Sequence, residues 1–343
     1  MTVPPWASFC LATYRRPEFL ARSLRQIAAQ TFADFEVIVS DNDPGRSASA
    51  VVDALGDPRV RYFANDRNLG MVGNFNAALA RASGRFVVMI TDDDPPHAGL
   101  LAALSELERA HPGYGCYFGA CEVLIEDPVL ARLFDLPPGR VRHLARAEAG
   151  AVRLFSAAEF PRAFFSNAVF PYVLWSTGVV RREVALEVGG MPDYGSPFLT
   201  DFCYLVLAGS VAGMATVNRV LGLQTVHAAN FGRAEMGELA PALEGFHARV
   251  GARLAQHADG AELRTAMERF LAEWAVSHAL FVRGFHAAHR AAPEVRRGAE
   301  RAMEQVLLLP WMRPWRRRYA WRRLGADHPR LRRLWRALRG RVR

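Results

Sequence analysis

The sequence of 343 residues contains no lysine, and all of its positive side-chain charge comes from arginine and histidine. Without lysine, the chain cannot form a phosphate-binding P-loop of the kind found in many kinases. It also lacks the GxGxxG, GxSxG and HExxH patterns, which argues against dinucleotide oxidoreductases, serine hydrolases and zincins. Any active site in this protein must therefore be built from residues outside these known motifs.

Cysteine is scarce, and the four cysteines show no CxxC spacing. Cys10 and Cys203 lie in apolar runs, and the pair Cys116 and Cys121 has no second pair of metal ligands. We therefore predict buried thiols rather than a zinc site or a disulfide, and a cytoplasmic protein.

Long apolar runs are also missing. The N-terminus lacks the basic start and apolar stretch of a signal peptide, so we expect no export by that route. Segments 163–180 and 202–218 approach spanning length, but both contain polar residues, which favours a buried α/β core over a membrane span.

What the sequence does contain is an alternation of strand and helix patterns. The predicted strands are residues 6–12, 35–40, 60–63, 86–91 and 114–125. The predicted helices between them are a helix opened by Pro17, a segment from about 73 to 82, and residues 97–110. This order predicts a doubly wound, mainly parallel α/β sheet.

The rest of the chain is less regular. Residues 126–152, with Pro137 and Pro138, indicate a surface excursion. From 234 onward the pattern is helical, broken near Gly260 and Pro293. We predict a catalytic domain over 1–231, with a nucleotide-binding half of about 1–125 and an acceptor half of about 126–231, followed by a helical extension over 232–343.

Polar clusters follow three predicted strands, where parallel sheets form their ligand sites. They are Thr13, Tyr14 and Arg16 after the first strand, Asp41, Asn42 and Asp43 after the second, and Asp92, Asp93 and Asp94 after the strand FVVMIT. Three consecutive carboxylates repel one another unless a cation or donors compensate them. A solvated acidic turn is the alternative to a functional site. Hard oxygen ligands suit Mg²⁺ or Mn²⁺, which bridges carboxylates and a diphosphate.

The run LATYRRPEFLARSLRQIAAQTFADFEVIVSDND, followed by NDRNLGMVGNFNAALARASGRFVVMITDDD, carries a family resemblance. Over residues 8–94 the chain resembles family 2 of the inverting glycosyltransferases with a GT-A fold. The resemblance implies a Rossmann-like, mainly parallel domain that binds a nucleotide-diphosphate sugar. It also implies a glycan or lipid-linked acceptor and work in cell-surface polysaccharide biosynthesis.

The resemblance assigns roles to the donor half. It implies that Asp41 reads the nucleobase, and that Asp92 or Asp93 faces the ribose. The positions that it places along the nucleotide or the donor are Thr13, Tyr14, Arg16, Asn42, Arg67, Asn68 and Asn76. An Asx-type turn at Asp41 and Asn42, and a plain turn at Asn68 to Gly70, remain alternatives.

Metal ligands and the catalytic base follow from the same resemblance. It implies that Asp94 meets the metal, joined by His227 from the run VNRVLGLQTVHAANFG, although a lone histidine is often structural. Relatives often show an acidic pair at a helix start in the acceptor half, where this chain has the single carboxylate Asp201. Asp201 is the predicted base, and a helix cap is its alternative role.

The C-terminal segment 311–343 carries thirteen arginines, four tryptophans and one acidic residue, Asp327. We expect docking on an anionic membrane, which would make the protein peripheral at the inner face of the cytoplasmic membrane. A solvated or packed helical tail is the alternative, and nucleic-acid binding is less favoured.

Two other functions remain open from the sequence. A nucleotidyltransferase would use paired aspartates, but it normally needs a glycine-rich N-terminal loop, which this chain lacks. A non-catalytic nucleotide-sugar-binding protein would explain the missing second carboxylate near Asp201.

Overall fold

The computed structural model describes residues 3–133, 139–142, 148–169, 174–227 and 236–327. The side chains of residues 130, 132, 133, 139–142 and 325–327 are not described. The domain boundary predicted near 231 and the tail beyond 327 thus lie outside the described residues.

Nine strands in the described residues form one mixed sheet in the order β3-β2-β1-β4-β8-β5-β9-β7, with β6 paired to β5. Their bounds are β1 Ala7–Thr13, β2 Phe35–Asp41, β3 Val60–Ala64, β4 Phe86–Thr91, β5 Cys116–Ile125, β6 Gly139–Arg142, β7 Val152–Phe155, β8 Gly178–Arg181 and β9 Met214–Val226.

The first four strands are parallel, whereas β8 lies antiparallel between β4 and β5. Since β9 pairs parallel with β5, it runs in the same direction as β1 and β4. The carboxyl ends of β1, β2, β4 and β9 therefore lie at one edge of the sheet, which is where ligand sites of such sheets form.

The described helices are α1 Pro17–Ala28, α2 Ser49–Leu55, α3 Gly70–Arg81, α4 Leu100–Ala110, α5 Pro128–Leu133, α6 Phe160–Phe165, α7 Arg182–Glu187, α8 Thr200–Ala212, α9 Leu239–Leu254, α10 Gly260–Ala288, α11 Pro293–Leu308 and α12 Arg316–Asp327. Short 3₁₀ helices span Trp175–Thr177 and Pro310–Trp315. None of the described helices is both long and apolar enough to cross a bilayer.

Strand alternation divides the core of the sheet into two layers. On β1, Phe9 and Leu11 pack in the layer with α1 and α4, whereas Cys10 and Ala12 pack in the layer with α3 and α8. A third core joins α8 to the C-terminal helices.

The predicted α/β alternation is confirmed, with strand bounds that differ by one or two residues. Helices begin at Gly260 and Pro293, where the sequence predicted breaks. All four cysteines are buried free thiols, as predicted. The prediction of a surface excursion over 126–152 was incomplete, because β6 and the start of β7 join the sheet there.

The first part of the C-terminal segment packs on the helical extension. Trp311 stacks on His247 of α9, with ring centroids 5.8 Å apart, and Met312 is fully buried. Arg318 lies 3.4 Å from Glu273 of α10, and Arg323 lies 3.1 Å from Glu300 of α11. Residues 311–323 therefore contact the extension through buried apolar side chains and ion pairs.

Candidate functional site at the carboxyl ends of the strands

The aspartate triplet follows β4 directly, and its three carboxylates point to different partners. Asp92 has no exposed surface; its carboxylate accepts a hydrogen bond of 2.7 Å from Thr13 Oγ1 and is paired with Arg16. Burial raises the pKa of Asp92 to about 6, although the Arg16 charge opposes that shift. Ser23 Oγ of α1 also donates to the Asp92 carbonyl oxygen at 2.9 Å. Asp92 thus holds the turn after β1 against the end of β4.

Asp93 joins the ends of β1, β4 and β9. Its Oδ2 lies 2.9 Å from Arg16 Nη1 and 3.3 Å from His227 Nε2. Burial alone would raise the pKa of Asp93, but His227 and Arg16 outweigh it and lower the pKa to about 2. The His227 ring stacks on Phe19, with centroids 5.2 Å apart. His227 therefore lies beside the triplet, in contact with Asp93.

Asp94 is the carboxylate whose charge is least compensated. Its Oδ1 accepts a hydrogen bond of 2.8 Å from the Thr225 amide on β9. Burial and the neighbouring Asp93 charge raise the pKa of Asp94 to about 8. A positive charge bound next to Asp94 would stabilise its ionised form.

The donor set is compatible with a divalent cation. Two carboxylates and an imidazole supply oxygen and nitrogen ligands, and the buried Thr225 hydroxyl has no hydrogen-bond partner among the described residues. Within those residues, however, no group of three or more acidic, histidine or cysteine side chains is placed so that it could hold a metal ion by itself. An ion bound here would need further ligands, as in Mg²⁺ sites where one or two carboxylates share the ion with substrate phosphates.

The second strand end is organised by Asp41, which is fully buried. Its carboxylate accepts hydrogen bonds from the Asp43 amide at 3.0 Å, the Ala48 amide at 3.0 Å and the Tyr62 hydroxyl at 2.8 Å. The Asp43 bond is the Asx-type turn that the sequence left open. Burial and the hydrogen bond to Asp41 raise the pKa of Tyr62 above its usual range.

Asparagine side chains connect the strand ends to one another. Asn42 Nδ2 donates to Asn68 Oδ1 at 2.7 Å, and Asn42 Oδ1 accepts from the Leu69 amide at 2.8 Å. Asn65 Nδ2 donates to Asn74 Oδ1 at 2.9 Å, while Asn74 Nδ2 donates to the Thr13 carbonyl at 3.1 Å. This network links the ends of β1, β2 and β3 to α3.

The remaining predicted donor residues differ in their surroundings. Tyr14 and Arg67 are exposed, and the turn between Thr13 and Arg16 passes through Arg15 with a φ of 54°. A positive φ at a residue with a side chain indicates local strain, which concentrates at functional sites. Asn76 is engaged at both ends of its amide with the backbone of Met191.

Asp201 lies in the first turn of α8, half-buried, and its Oδ1 accepts the Phe202 amide at 2.8 Å. Burial raises the pKa of Asp201. The residue before the helix, Leu199, has a φ of 61°, a second strained position. Among the described residues, no hydrogen bond or ion pair joins Asp201 to the triplet or to Arg16.

Sequence reasoning missed several residues that shape this site. Tyr62, Asn65 and Asn74 hold the strand ends, and Phe19 supports His227. The sequence could have indicated Asn74, because an amide side chain on the apolar face of a predicted helix needs a hydrogen-bond partner when it is buried. Phe19 had no such signal, since its spacing on α1 marks an ordinary core position.

The comparisons with known proteins agree with this geometry. Residues 8–121 match the sequence profile of Glycosyl transferase family 2. A GalNAc(5)-diNAcBac-PP-undecaprenol beta-1,3-glucosyltransferase of Campylobacter jejuni is 37% identical over 120 residues, which are 34% of this chain and 38% of that protein. The succinoglycan biosynthesis protein ExoO of Rhizobium meliloti is 36% identical over 106 residues, 31% of this chain and 30% of that protein.

Solved structures extend the likeness over most of the chain. TarS 1–349 of S. aureus in complex with UDP-GlcNAc has a TM-score of 0.60 at 15% identity, covering 89% of this chain and 81% of that one. The mannosyltransferase PcManGT of Pyrobaculum calidifontis, in complex with GDP-Man and Mn²⁺, has a TM-score of 0.54 at 18% identity, covering 95% and 87%.

Residues 8–121, about a third of this chain, are thus similar to glycosyl transferase family 2. The sheet and flanking helices of the chain have the GT-A fold, followed by C-terminal helices. The chain spans 38% and 30% of the lengths of the two curated relatives.

Proposed function

We propose that this protein is an inverting glycosyltransferase that moves a sugar from a nucleotide-diphosphate donor to a glycan or lipid-linked acceptor. The observation that carries the proposal is the buried acidic triplet, held between Arg16 and His227 at the carboxyl edge of a GT-A sheet. The proposed role in cell-surface polysaccharide biosynthesis is supported by the similarity to a succinoglycan biosynthesis protein and to a glucosyltransferase that acts on an undecaprenol-linked glycan.

The donor is proposed to lie across the ends of β1 and β2. In this proposal Asp41 is the residue beside the base, and Thr13, Tyr14, Arg16 and Asn42 border the nucleotide. Arg67 and Asn68 lie along the donor, and Asp92 or Asp93 faces the ribose. Arg16 and the strand-end amides supply positive charge and donors for an anionic ligand.

The proposed cofactor is Mg²⁺ or Mn²⁺, held by Asp94 and His227. When bound, the cation would supply positive charge to the diphosphate that leaves with the nucleotide. The mannosyltransferase PcManGT was solved with Mn²⁺, which supports this assignment by analogy.

On the acceptor side, Asp201 is the proposed base. It takes the proton from the attacking acceptor hydroxyl, whose oxygen bonds to the anomeric carbon as the bond to the diphosphate breaks. A single displacement of this kind inverts the anomeric configuration. Burial raises the pKa of Asp201, which makes its carboxylate a stronger base than an exposed aspartate.

A lipid-linked acceptor would bring the protein to a membrane surface. Trp321 is 69% exposed on α12, and Leu308 is 63% exposed at the end of α11. Arginines of the C-terminal segment flank Trp321 in the sequence, at 316–318 before it and 322–323 after it. We propose peripheral docking of this region on an anionic leaflet, where arginines meet phosphates and tryptophan lies at headgroup level.

The experiment that tests the function is a transfer assay with UDP-glucose, UDP-GlcNAc and GDP-mannose, with and without Mn²⁺. Acceptors are a polyprenyl-diphosphate sugar and a soluble oligosaccharide. Product from any donor, with inverted configuration by NMR, supports the proposal. Binding without transfer would instead favour a nucleotide-sugar-binding protein, and release of diphosphate from a nucleoside triphosphate would favour a nucleotidyltransferase.

A further inference from the structure

Asn76 joins two halves of the molecule that are far apart in sequence. Its Nδ2 donates to the Met191 carbonyl at 2.9 Å, and its Oδ1 accepts from the Met191 amide at 2.8 Å. Asn76 lies on α3, beside the strand-end network of the donor half. Met191 begins the segment that leads to α8 and Asp201. The side chain thus pairs with Met191 as a neighbouring β-strand would, satisfying both backbone groups.

The backbone at the contact is shaped to admit this amide. Gly190 has a φ of +70°, and a Cβ at that position would lie 2.4 Å from Asn76 Oδ1. Gly190 also donates its amide to the Ala185 carbonyl at 2.8 Å, which fixes the end of α7. Only glycine allows both the left-handed conformation and the close approach.

From Met191 the segment continues to Asp201 through further fixed points. The Tyr194 hydroxyl donates to the Phe198 carbonyl at 2.6 Å, and Thr200 Oγ1 donates to the Pro197 carbonyl at 3.0 Å. The Tyr194 ring packs on Gly245 of α9, where a Cβ would lie 2.5 Å from the tyrosine. The segment is therefore tied to α3 at one end and to the helical extension in the middle.

We infer that Asn76 is a positioning residue that sets the 191–200 segment, and with it Asp201, relative to the donor half. This inference rests on the proposed role of Asp201 as base. It gives Asn76 a different role from the donor contact that the resemblance implied, because both polar ends of its amide are bound to Met191. A misplacement of about 1 Å in such a segment lowers the rate of chemistry without changing donor binding.

The first experiment compares hydrogen exchange of the wild type and Asn76→Ala. We expect amides in 191–202 to exchange about tenfold faster in the variant, while amides in 41–70 keep their protection. Asn76→Asp should behave like Asn76→Ala, since aspartate keeps the acceptor for the Met191 amide but loses the donor for its carbonyl. Unchanged exchange in 191–202 would overturn the inference whatever the activity of the protein.

The second experiment separates positioning from donor contact. With UDP as the probe in calorimetry, we expect the affinity of Asn76→Ala to stay within about twofold of wild type, whereas kcat for transfer falls roughly 10- to 100-fold. A tenfold loss of UDP affinity with unchanged kcat would overturn the inference. If the wild type shows no transfer with any donor, the proposed function fails, and the exchange experiment still decides whether Asn76 fixes the segment.

Gly190→Ala tests the contact from the other side, because its Cβ would displace the Asn76 amide. Gly195→Ala is the matched control within the same segment, with a φ of +77° and no atom within 4 Å of a new Cβ. Both variants carry left-handed strain, but only Gly190→Ala should speed exchange in 191–202. Equal effects of the two would assign the result to strain and overturn the inference.

Discussion

The His227 imidazole lies 3.3 Å from the Asp93 carboxylate, although 134 positions separate the two residues in the chain. The contact exists because β9 and β4 run in the same direction within one sheet, so their carboxyl ends meet. It brings an imidazole to the acidic triplet and leaves Asp94 as the carboxylate with the least compensated charge.

Replacing Asp94 by alanine should abolish the effect of Mn²⁺ on donor binding. The pKa of Asp94 is raised to about 8 by burial and by the charge of Asp93, so a bound cation is the natural partner of its ionised form. Calorimetry with UDP, with and without Mn²⁺, measures this effect. Asp53→Ala, at an exposed position of α2, is the control and should keep it. A persisting Mn²⁺ effect in Asp94→Ala would remove Asp94 from the ligands.

Asp201→Asn should keep donor affinity but reduce transfer by a factor on the order of 10² or more. Asparagine has the shape of aspartate but cannot take the acceptor proton. The measurements are kcat with a saturating donor and the affinity for UDP. Asp193→Asn is a control in the same segment, because Asp193 is exposed and bonds only locally to Gly195 among the described residues. Near-normal turnover of Asp201→Asn would exclude it as the base.

The membrane prediction is best tested without disturbing the packed helices. Deletion after Pro310 would remove Met312 and Tyr319 from the helical core, whereas truncation after Asp327 removes seven arginines and Trp335. Each arginine near an anionic leaflet contributes about 1 kcal/mol, so the truncation should strongly weaken binding to vesicles.

Full-length protein should therefore sediment with phosphatidylglycerol vesicles, but not with phosphatidylcholine vesicles, at low salt. Trp321→Glu should weaken the part of the binding that salt does not screen. Transfer to a soluble acceptor should be spared in both variants. Equal sedimentation of truncated and intact protein would assign the segment to packing alone.

Glu36 on β2 predicts a pH dependence of stability. Burial alone would raise its pKa, but hydrogen bonds from the Ser83 amide, the Ser8 and Ser83 hydroxyls and Arg61 outweigh burial and lower it. As pH falls, the Glu36 carboxylate is therefore protonated in the unfolded chain, at about pH 4.3, before it is protonated in the folded chain. Glu36 stabilises the fold above that pH, and its contribution disappears as pH falls through the lowered pKa.

Glu36→Gln should consequently lower the free energy of unfolding by about 1–3 kcal/mol at pH 7 and reduce its acid dependence. Urea unfolding at pH 7 and at about pH 3 measures both quantities, because the contribution of Glu36 is lost only below its unfolded pKa. The exposed Glu183→Gln is the control and should leave them unchanged. The role of Glu36 would be contradicted if acidification lowered the free energy of unfolding of Glu36→Gln by as much as it lowers that of the wild type.

Much of the donor half was readable from the sequence. The strand after Phe86 and the helix opened by Pro17 were predicted correctly, because apolar periodicity and proline placement act within a few residues. The position of the triplet at a strand end was readable for the same reason. The domain boundary near 231 and the assigned site residues remain predictions.

The tertiary structure alone decided how distant segments meet. No local pattern shows that β8 enters antiparallel between β4 and β5, that His227 reaches Asp93, or that the Asn76 amide pairs with Met191. The contacts of Asp92 with Thr13 and Arg16 likewise depend on the tertiary structure, as does the packing of Trp311 and Met312 on the helical extension. Secondary structure depends on neighbours in sequence, whereas these contacts depend on how the sheet orders its strands and buries its charges, which is a property of the whole chain.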